Sequence, residues 1–392
     1  MITVIKNGKL ITPSGVLKDH LLVIEDSKIL GIYPKEKLPQ KYYNEPVVDA
    51  LGEYVSPGFI DIHVHGGGGV EASGSSPSQI VKMCAAHAGY GTTSLLPTTV
   101  TNRLENIQQT VYAIRDAAQL CHECNILGAH LEGPYFSPAQ CGAQNPDFII
   151  QPKPEQYLPL LDSWDGIKIV GAAPEIDGAL ELGQELRRRG ILASVAHSDA
   201  TFEQVEEAMI YGYSDITHIY SGCSMVHRVN AYRIAGIVEA GLCLEGLTVQ
   251  VIADGKHLPA SLLKLIYKCK GPSHISLITD GLCAAATQME EGAVVHQDNG
   301  LDTIYDDGVM KMMDKQAFAG SVATMNRLVC NMITLAGVPL ADAVTMATLT
   351  PAKVIGMDKC KGSLSPGKDA DIIFFNEDIQ VSTVMVMGRK VK

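Results

Sequence analysis

The strongest constraint on the fold is a repeated alternation. Eight short apolar runs suited to strands recur at residues 59–65, 93–98, 126–132, 168–175, 192–197, 215–220, 249–254 and 275–280. Helical periodicity fills the gaps at 77–90, 104–122, 178–189, 201–212, 233–240 and 259–269. Strand–helix alternation is the pattern of βα units on a parallel sheet. Eight such units predict an α/β fold of the (β/α)8 TIM-barrel type.

The flanks read differently. Residues 1–5, 9–12, 21–25 and 28–33 alternate or run apolar, with turns at Asn7-Gly8 and Asp26-Ser27. Strand character returns at 371–376 and 384–387, with a turn at 387–390. Chain ends often lie close together, so both are expected to build one small β-sandwich. The expected division is 1–55 plus 358–392 for the sandwich and 56–357 for the barrel. The length of 392 residues suits a barrel of about 250 residues plus a smaller module. Residues 281–315, with turns at 289–292 and 306–308, read as a flap near the barrel mouth or a solvated loop. Helices are expected at 322–336 and 340–349, the second stopped near Thr350-Pro351.

Net charge is −12, and no Lys/Arg run marks a nucleic-acid footprint. No apolar run of about 18 residues predicts a membrane span, and no signal-peptide pattern follows Met1. A cytoplasmic protein acting on a small molecule is expected, without nucleic acid or membrane partners. Ten scattered cysteines suit a reducing compartment, and the lone pair Cys121 and Cys124 reads as ordinary surface and core residues.

Chemistry sits at the ends of the predicted strands. The first carries His63 and His65, which point the same way because strand side chains alternate. Four glycines, Gly66 to Gly69, follow and allow close backbone approach. The third strand ends in Glu132, the fifth in His197, the sixth in His218 and the eighth in Asp280, while the seventh runs into Asp254, Gly255, Lys256 and His257. The C-terminal strand ends form the active face of such barrels. Four histidines and two carboxylates suit one or two divalent ions such as Zn, Fe, Mn or Co, with Glu132 as the natural bridge. Lys168 starts its strand at the opposite end, so a lysine-derived bridge is not expected. Asp280 is placed to ligate metal or move a proton, and His257 to polarise a carbonyl. The reaction class is metal-assisted hydrolysis of an amide or related C–N bond.

These motifs resemble the amidohydrolase superfamily and, within it, the N-acetylglucosamine-6-phosphate deacetylases. The matching stretches are PGFIDIHVHGGGG (57–69), GTTSLLPT (91–98), HLEGPY (130–135), AAPE (172–175), VAHSDAT (195–201), THIY (217–220), VIADGKH (251–257), LITDG (277–281), AGS (319–321) and ATLTPAKVIG (347–356). GSLSPGKDADI (362–372) belongs to the wider superfamily. The resemblance implies that Glu132, His197 and His218 bind the principal metal, that Asp280 is the catalytic acid and base, and that His257 contacts the acetyl carbonyl. His63 and His65 make a second ion plausible, and a homodimer is implied. Substrate contacts are implied at Ala143, Gln144, Ser221, Gly222, Arg228, His257, Phe318, Ala319 and Gly320.

Two departures bear on the substrate. Gln144 stands where members commonly carry a histidine, and their Arg-Glu-Pro-Gly run is missing after residue 221, with Arg228 close to the place of a phosphate-gripping arginine. Arginine can hold two phosphate oxygens at once, whereas Gln144 brings no charge. The expected activity is removal of the acetyl group from N-acetylglucosamine 6-phosphate. An unphosphorylated or differently decorated N-acetylamino sugar, or another N-acyl compound, is the alternative. A non-catalytic binding barrel and a hydantoinase-type cyclic-amide hydrolase are further readings, opposed by the intact ligand set and the missing bridging lysine respectively.

Overall fold

A computed structural model describes residues 1–392. The barrel strands are Phe59–Val64, Thr92–Thr99, Ala129–Glu132, Ile167–Ala172, Leu192–Val195, Tyr213–Ile216, Thr248–Val251 and Ile275–Leu277. Each pairs in parallel with the next. The ring closes at the mouth, where Val64 bridges Gly281 in parallel and the Asp280 amide donates to the His63 carbonyl at 2.9 Å. The main core, between strands and surrounding helices, joins Phe59, Leu131, Val170, Val195, Ile216, Val249 and Leu277 to Leu182, Val205, Leu263 and Leu328.

Several strands stop earlier than the sequence pattern suggests. His197, His218 and Asp280 lie just beyond their strands with φ of 43°, 25° and 48°. Left-handed backbone cannot extend a ladder, so these residues end the sheet and turn into the mouth. The third strand is interrupted, with Asn125–Ile126 paired separately before Ala129–Glu132. Helix Pro154–Leu161, absent from the sequence reading, precedes the fourth strand, while the helix expected at 233–240 begins at Ile237. Arg233 instead sits in the exposed hairpin His227–Val229 with Tyr232–Ile234, turned by Asn230 and Ala231 at φ of 47° and 72°. Two positive φ values match the tight hairpin turn that twisted strands prefer. Helix Leu340–Ala347 breaks at Thr348, and Leu349–Val354 carries Pro351 in its first turn. Proline is tolerated there because that N–H has no helical partner.

Both chain ends contribute to one sheet of six strands, in the order Arg389–Lys390, Val381–Val386, Ile372–Phe375, Tyr54–Pro57, Lys9–Thr12 and Gly15–Leu17. A second sheet of four strands, Lys28–Pro34, His20–Glu25, Ile2–Lys6 and Val47–Asp49, comes from the N-terminal residues. Ile5, Leu22 and Ile24 of this sheet meet Leu10, Val55, Ile372 and Phe374 of the other in one apolar cluster. Asn7-Gly8 is therefore a crossing between sheets, and a Cβ at Gly8 would lie 2.4 Å from Val55 Cγ2. Tyr54–Pro57 runs straight into the first barrel strand, so the terminal sheet anchors the segment that carries His63 and His65.

The stretch after the eighth strand is an antiparallel sheet of Val294–His296, Asp302–Asp306, Val309–Met312 and Phe318–Gly320. It returns to the mouth, where the Ser321 amide donates to the Asp280 carbonyl at 2.9 Å. The flap reading holds; the stretch is not merely a solvated loop. All ten cysteines are free, and no helix is long and apolar enough to cross a membrane.

Candidate active site

Six side chains converge at the mouth: His63, His65, Glu132, His197, His218 and Asp280, all from buried residues. Glu132 Oε1 lies 2.9 Å from His218 Nε2, 3.3 Å from His197 Nε2 and 3.4 Å from His63 Nε2. Its Oε2 lies 3.2 Å from His65 Nε2. Asp280 Oδ1 stands opposite, 3.4 Å from His63 Nε2 and 3.2 Å from His65 Nε2. Two sets of ligand atoms are close enough to hold an ion: His63, His65 and Asp280, and His63, Glu132 and His218.

The remote ring nitrogens show how the imidazoles are aimed. His197 Nδ1 donates to the Gln140 carbonyl at 2.9 Å, and His218 Nδ1 to the Ser221 carbonyl at 3.1 Å. His63 Nδ1 donates to Gln250 Oε1 at 3.1 Å. Gln250 is itself oriented by donating to Asp215 Oδ2 at 2.7 Å, and Ser194 and Thr248 hydrogen-bond the same carboxylate. A proton held on Nδ1 leaves the Nε2 lone pair for a cation. Four imidazoles and two carboxylates, with Nε2 atoms 3.2 Å apart at His63 and His65, fit a divalent ion.

Charge is unevenly shared across the cluster. Burial lowers His63 to about 4, against the pull of Glu132 and Asp280. Burial also opposes a proton on His65, but hydrogen bonds with Asp280 and Glu132 lift it to about 10. Glu132 and Asp280 are held below the usual carboxylate range despite burial, Glu132 by His63, His197 and His218 and Asp280 by His65 and His63. Both carboxylates are thus ionised at neutral pH beside the nitrogens.

The turns that carry these residues are strained and clamped. Beyond His197, Ser198 Oγ donates to Glu175 Oε2 and the Asp199 amide to Glu175 Oε1, both at 2.6 Å. Gly222 has φ of +56°, and a Cβ there would lie 2.7 Å from His197 Nδ1, so only glycine fits the approach. Residues in left-handed backbone persist where the surroundings over-determine them.

The cleft above the cluster is lined by His65, Glu132, Ala143, Gln144, His197, His218, Ser221, Gly222, His257, Asp280, Phe318, Ala319 and Gly320, as the sequence suggests. His257 Nδ1 donates to Asp254 Oδ2 at 2.8 Å, its ring packs 4.6 Å from Phe318, and Nε2 is left for the cleft. Asp254 is held below its usual range: burial opposes this, but His257 and the amides of Lys256 and His257 prevail. Arg228 is not brought in; it stands exposed on the hairpin, and no lysine or arginine lines the cleft. Sequence reasoning also missed Val100, Gly142, Leu282 and Gln297 in the lining, and the supporting Gln250 and Asp215. The last two left one signal, a polar residue inside an apolar barrel strand.

The sequence model of the amidohydrolase family matches residues 54–391. An Escherichia coli O157:H7 protein named N-acetylgalactosamine-6-phosphate deacetylase is 32% identical over 99% of both chains. A Bacillus subtilis N-acetylglucosamine-6-phosphate deacetylase is 31% identical over 98% of this chain and 96% of its own. The chain belongs to the amidohydrolase family, with the N-acetylglucosamine-6-phosphate deacetylases. The crystal structure of the Pasteurella multocida deacetylase superposes with a TM-score of 0.91 at 29% identity, covering 100% of this chain and 99% of that one. A Mycobacterium smegmatis deacetylase variant in complex with N-acetyl-D-glucosamine-6-phosphate gives 0.89 at 28% identity, with the same coverage. Enamidase, a more distant member of the superfamily, shares the fold at 17% identity with a TM-score of 0.64.

Proposed function

We propose that this chain is a metal-dependent hydrolase that removes the acetyl group of N-acetylglucosamine 6-phosphate, giving glucosamine 6-phosphate and acetate. The observation that carries the reading is Glu132 within 3.4 Å of four imidazole nitrogens, beside a cleft that also holds Asp280 and His257. Glu132, His197 and His218 would hold the principal ion, and His63, His65 and Asp280 a second. A bound divalent ion acidifies water and polarises a carbonyl.

The chain's own residues do the rest. Asp280 takes a proton from the water that attacks the acetyl carbon and delivers it to the leaving nitrogen. His257, fixed by Asp254 at Nδ1, points Nε2 at the acetyl oxygen and, with that nitrogen also protonated, donates to the charge that grows there. Ala143, Ser221, Gly222, Ala319 and Gly320 present small surfaces and backbone groups to the sugar, and Phe318 covers the His257 ring.

Although it stands outside the cleft of its own chain, Arg228 is our candidate for the phosphate contact, since the cleft lining holds no lysine or arginine. That same lack favours a second reading, an unphosphorylated N-acetylamino sugar. Acetate release from the phosphorylated and plain sugars separates the two. A preference of about a hundredfold or more for the phosphate, roughly 3 kcal/mol, supports the first; equal or reversed rates overturn it.

We further propose a homodimer, supported by the exposed Met225, Val226, Val229 and Tyr232 around Arg228. Ten unpaired cysteines support a cytoplasmic location. Residues 1–55 with 358–392 are proposed as one unit and 56–357 as the catalytic one.

A further inference from the structure

Gln144 is buried to 6% exposure beside Glu132. Its orientation is forced. The Thr101 backbone N–H can only donate, and it reaches Gln144 Oε1 at 2.9 Å. The amide nitrogen must therefore face the other way, and it donates to Glu132 Oε2 at 2.5 Å. The loop around it is fastened to the flap, with Asn145 Nδ2 donating to the Asn299 carbonyl at 2.7 Å.

We infer that Gln144 is a positioning residue for Glu132, and that it sets whether the cluster binds one divalent ion or two. The carboxylate has to serve two sets of ligands. Oε1 sits among His63, His197 and His218, whereas Oε2 is 3.2 Å from His65. A carboxylate free to turn about its last bond can offer both oxygens to the ion near His197 and His218. The Gln144 N–H holds Oε2 out toward His65 and Asp280, which keeps one oxygen for each site. A neutral amide does this without removing charge from the carboxylate. With its oxygen and one N–H engaged, Gln144 keeps at most one N–H for a substrate, so its main task is toward Glu132. Sequence reasoning had placed it among the sugar contacts only.

The inference rests on the metal-site reading above, and the test keeps the two apart. Wild type, Gln144→Met and Gln144→His are stripped, confirmed folded by thermal melting, and titrated with Zn²⁺ alone against a competing chelator, with bound metal counted by mass spectrometry. The expected result is two ions in wild type and at least tenfold weaker binding of one ion in Gln144→Met. Gln144→His, whose ring N–H can still donate, should recover most of that loss. KM for the acetylated sugar, measured at saturating metal, reads out any direct contact of Gln144 with the sugar separately from metal binding. Superimposable titrations for wild type and Gln144→Met overturn the inference while leaving the metal site standing. A raised KM with unchanged metal binding would instead make Gln144 a substrate contact. Wild type that binds no ion at all would overturn both readings.

Discussion

Replacing Gln250 with leucine tests whether His63 is aimed from behind. Gln250 accepts from His63 Nδ1 at 3.1 Å and donates to Asp215 Oδ2 at 2.7 Å, and all three are fully buried. Leucine fills similar space but removes both bonds. His63 then has no reason to keep its proton on Nδ1, and the tautomer with a protonated Nε2 cannot ligate. Partners of this kind are worth about 10- to 100-fold in metal affinity, or roughly 1.4–2.7 kcal/mol. Asp215 keeps Ser194 and Thr248, but its carboxyl, already raised by burial, loses the donor that helps hold it down. Orphaning these buried groups should cost about 1–3 kcal/mol of stability in the metal-free protein. The assay is a chelator-competed metal titration beside a thermal melt. A folded Gln250→Leu protein with affinity within twofold of wild type would refute the reasoning.

Asp280→Asn should cut kcat by about 10²- to 10⁴-fold while at least one ion is retained by metal analysis; a near-normal kcat would remove Asp280 from proton transfer. His257→Gln should lower kcat by about 10²-fold or more with little change in metal content, and an effect on KM alone would argue against a role at the acetyl oxygen. Glu71 is a buried carboxyl raised to about 7, chiefly by burial, with one oxygen unpartnered. Its folded value lies above its unfolded one, so its stabilising contribution is full below about pH 4.5 and lost as pH rises through 7. Glu71→Gln should therefore melt higher than wild type at pH 8, by on the order of 3 kcal/mol, and no higher at pH 4; parallel pH profiles would contradict this.

Much of the site was legible because barrel topology turns sequence position into location. A histidine or carboxylate closing an apolar run had to reach the mouth, which places His63, His65, Glu132, His197, His218 and Asp280 before any coordinates are known. The extent of the strands was not legible, since the same residues adopt left-handed backbone and end the ladder early. Gln250 and Asp215 were hidden because a polar side chain inside a barrel strand gives no clue to its partner, which lies on another strand. Arg228 is the opposite case. Its place in the motif order suggested the pocket, but the two positive-φ residues after Val229 fold it into an exposed hairpin. Gln144 was correctly placed at the cleft, while its bond to Glu132 depends on the Thr101 amide from a separate loop.

The Glu132 cluster is expected to hydrolyse an N-acetyl amide by means of a divalent ion. The direct measurement is acetate released from N-acetylglucosamine 6-phosphate by protein as loaded with metal, after chelator stripping, and after adding the ion back. The expected result is steady release, loss on stripping and recovery on reloading, with Glu132→Gln inactive throughout. Release that is indifferent to stripping, or no acetate from the fully loaded protein, would contradict it.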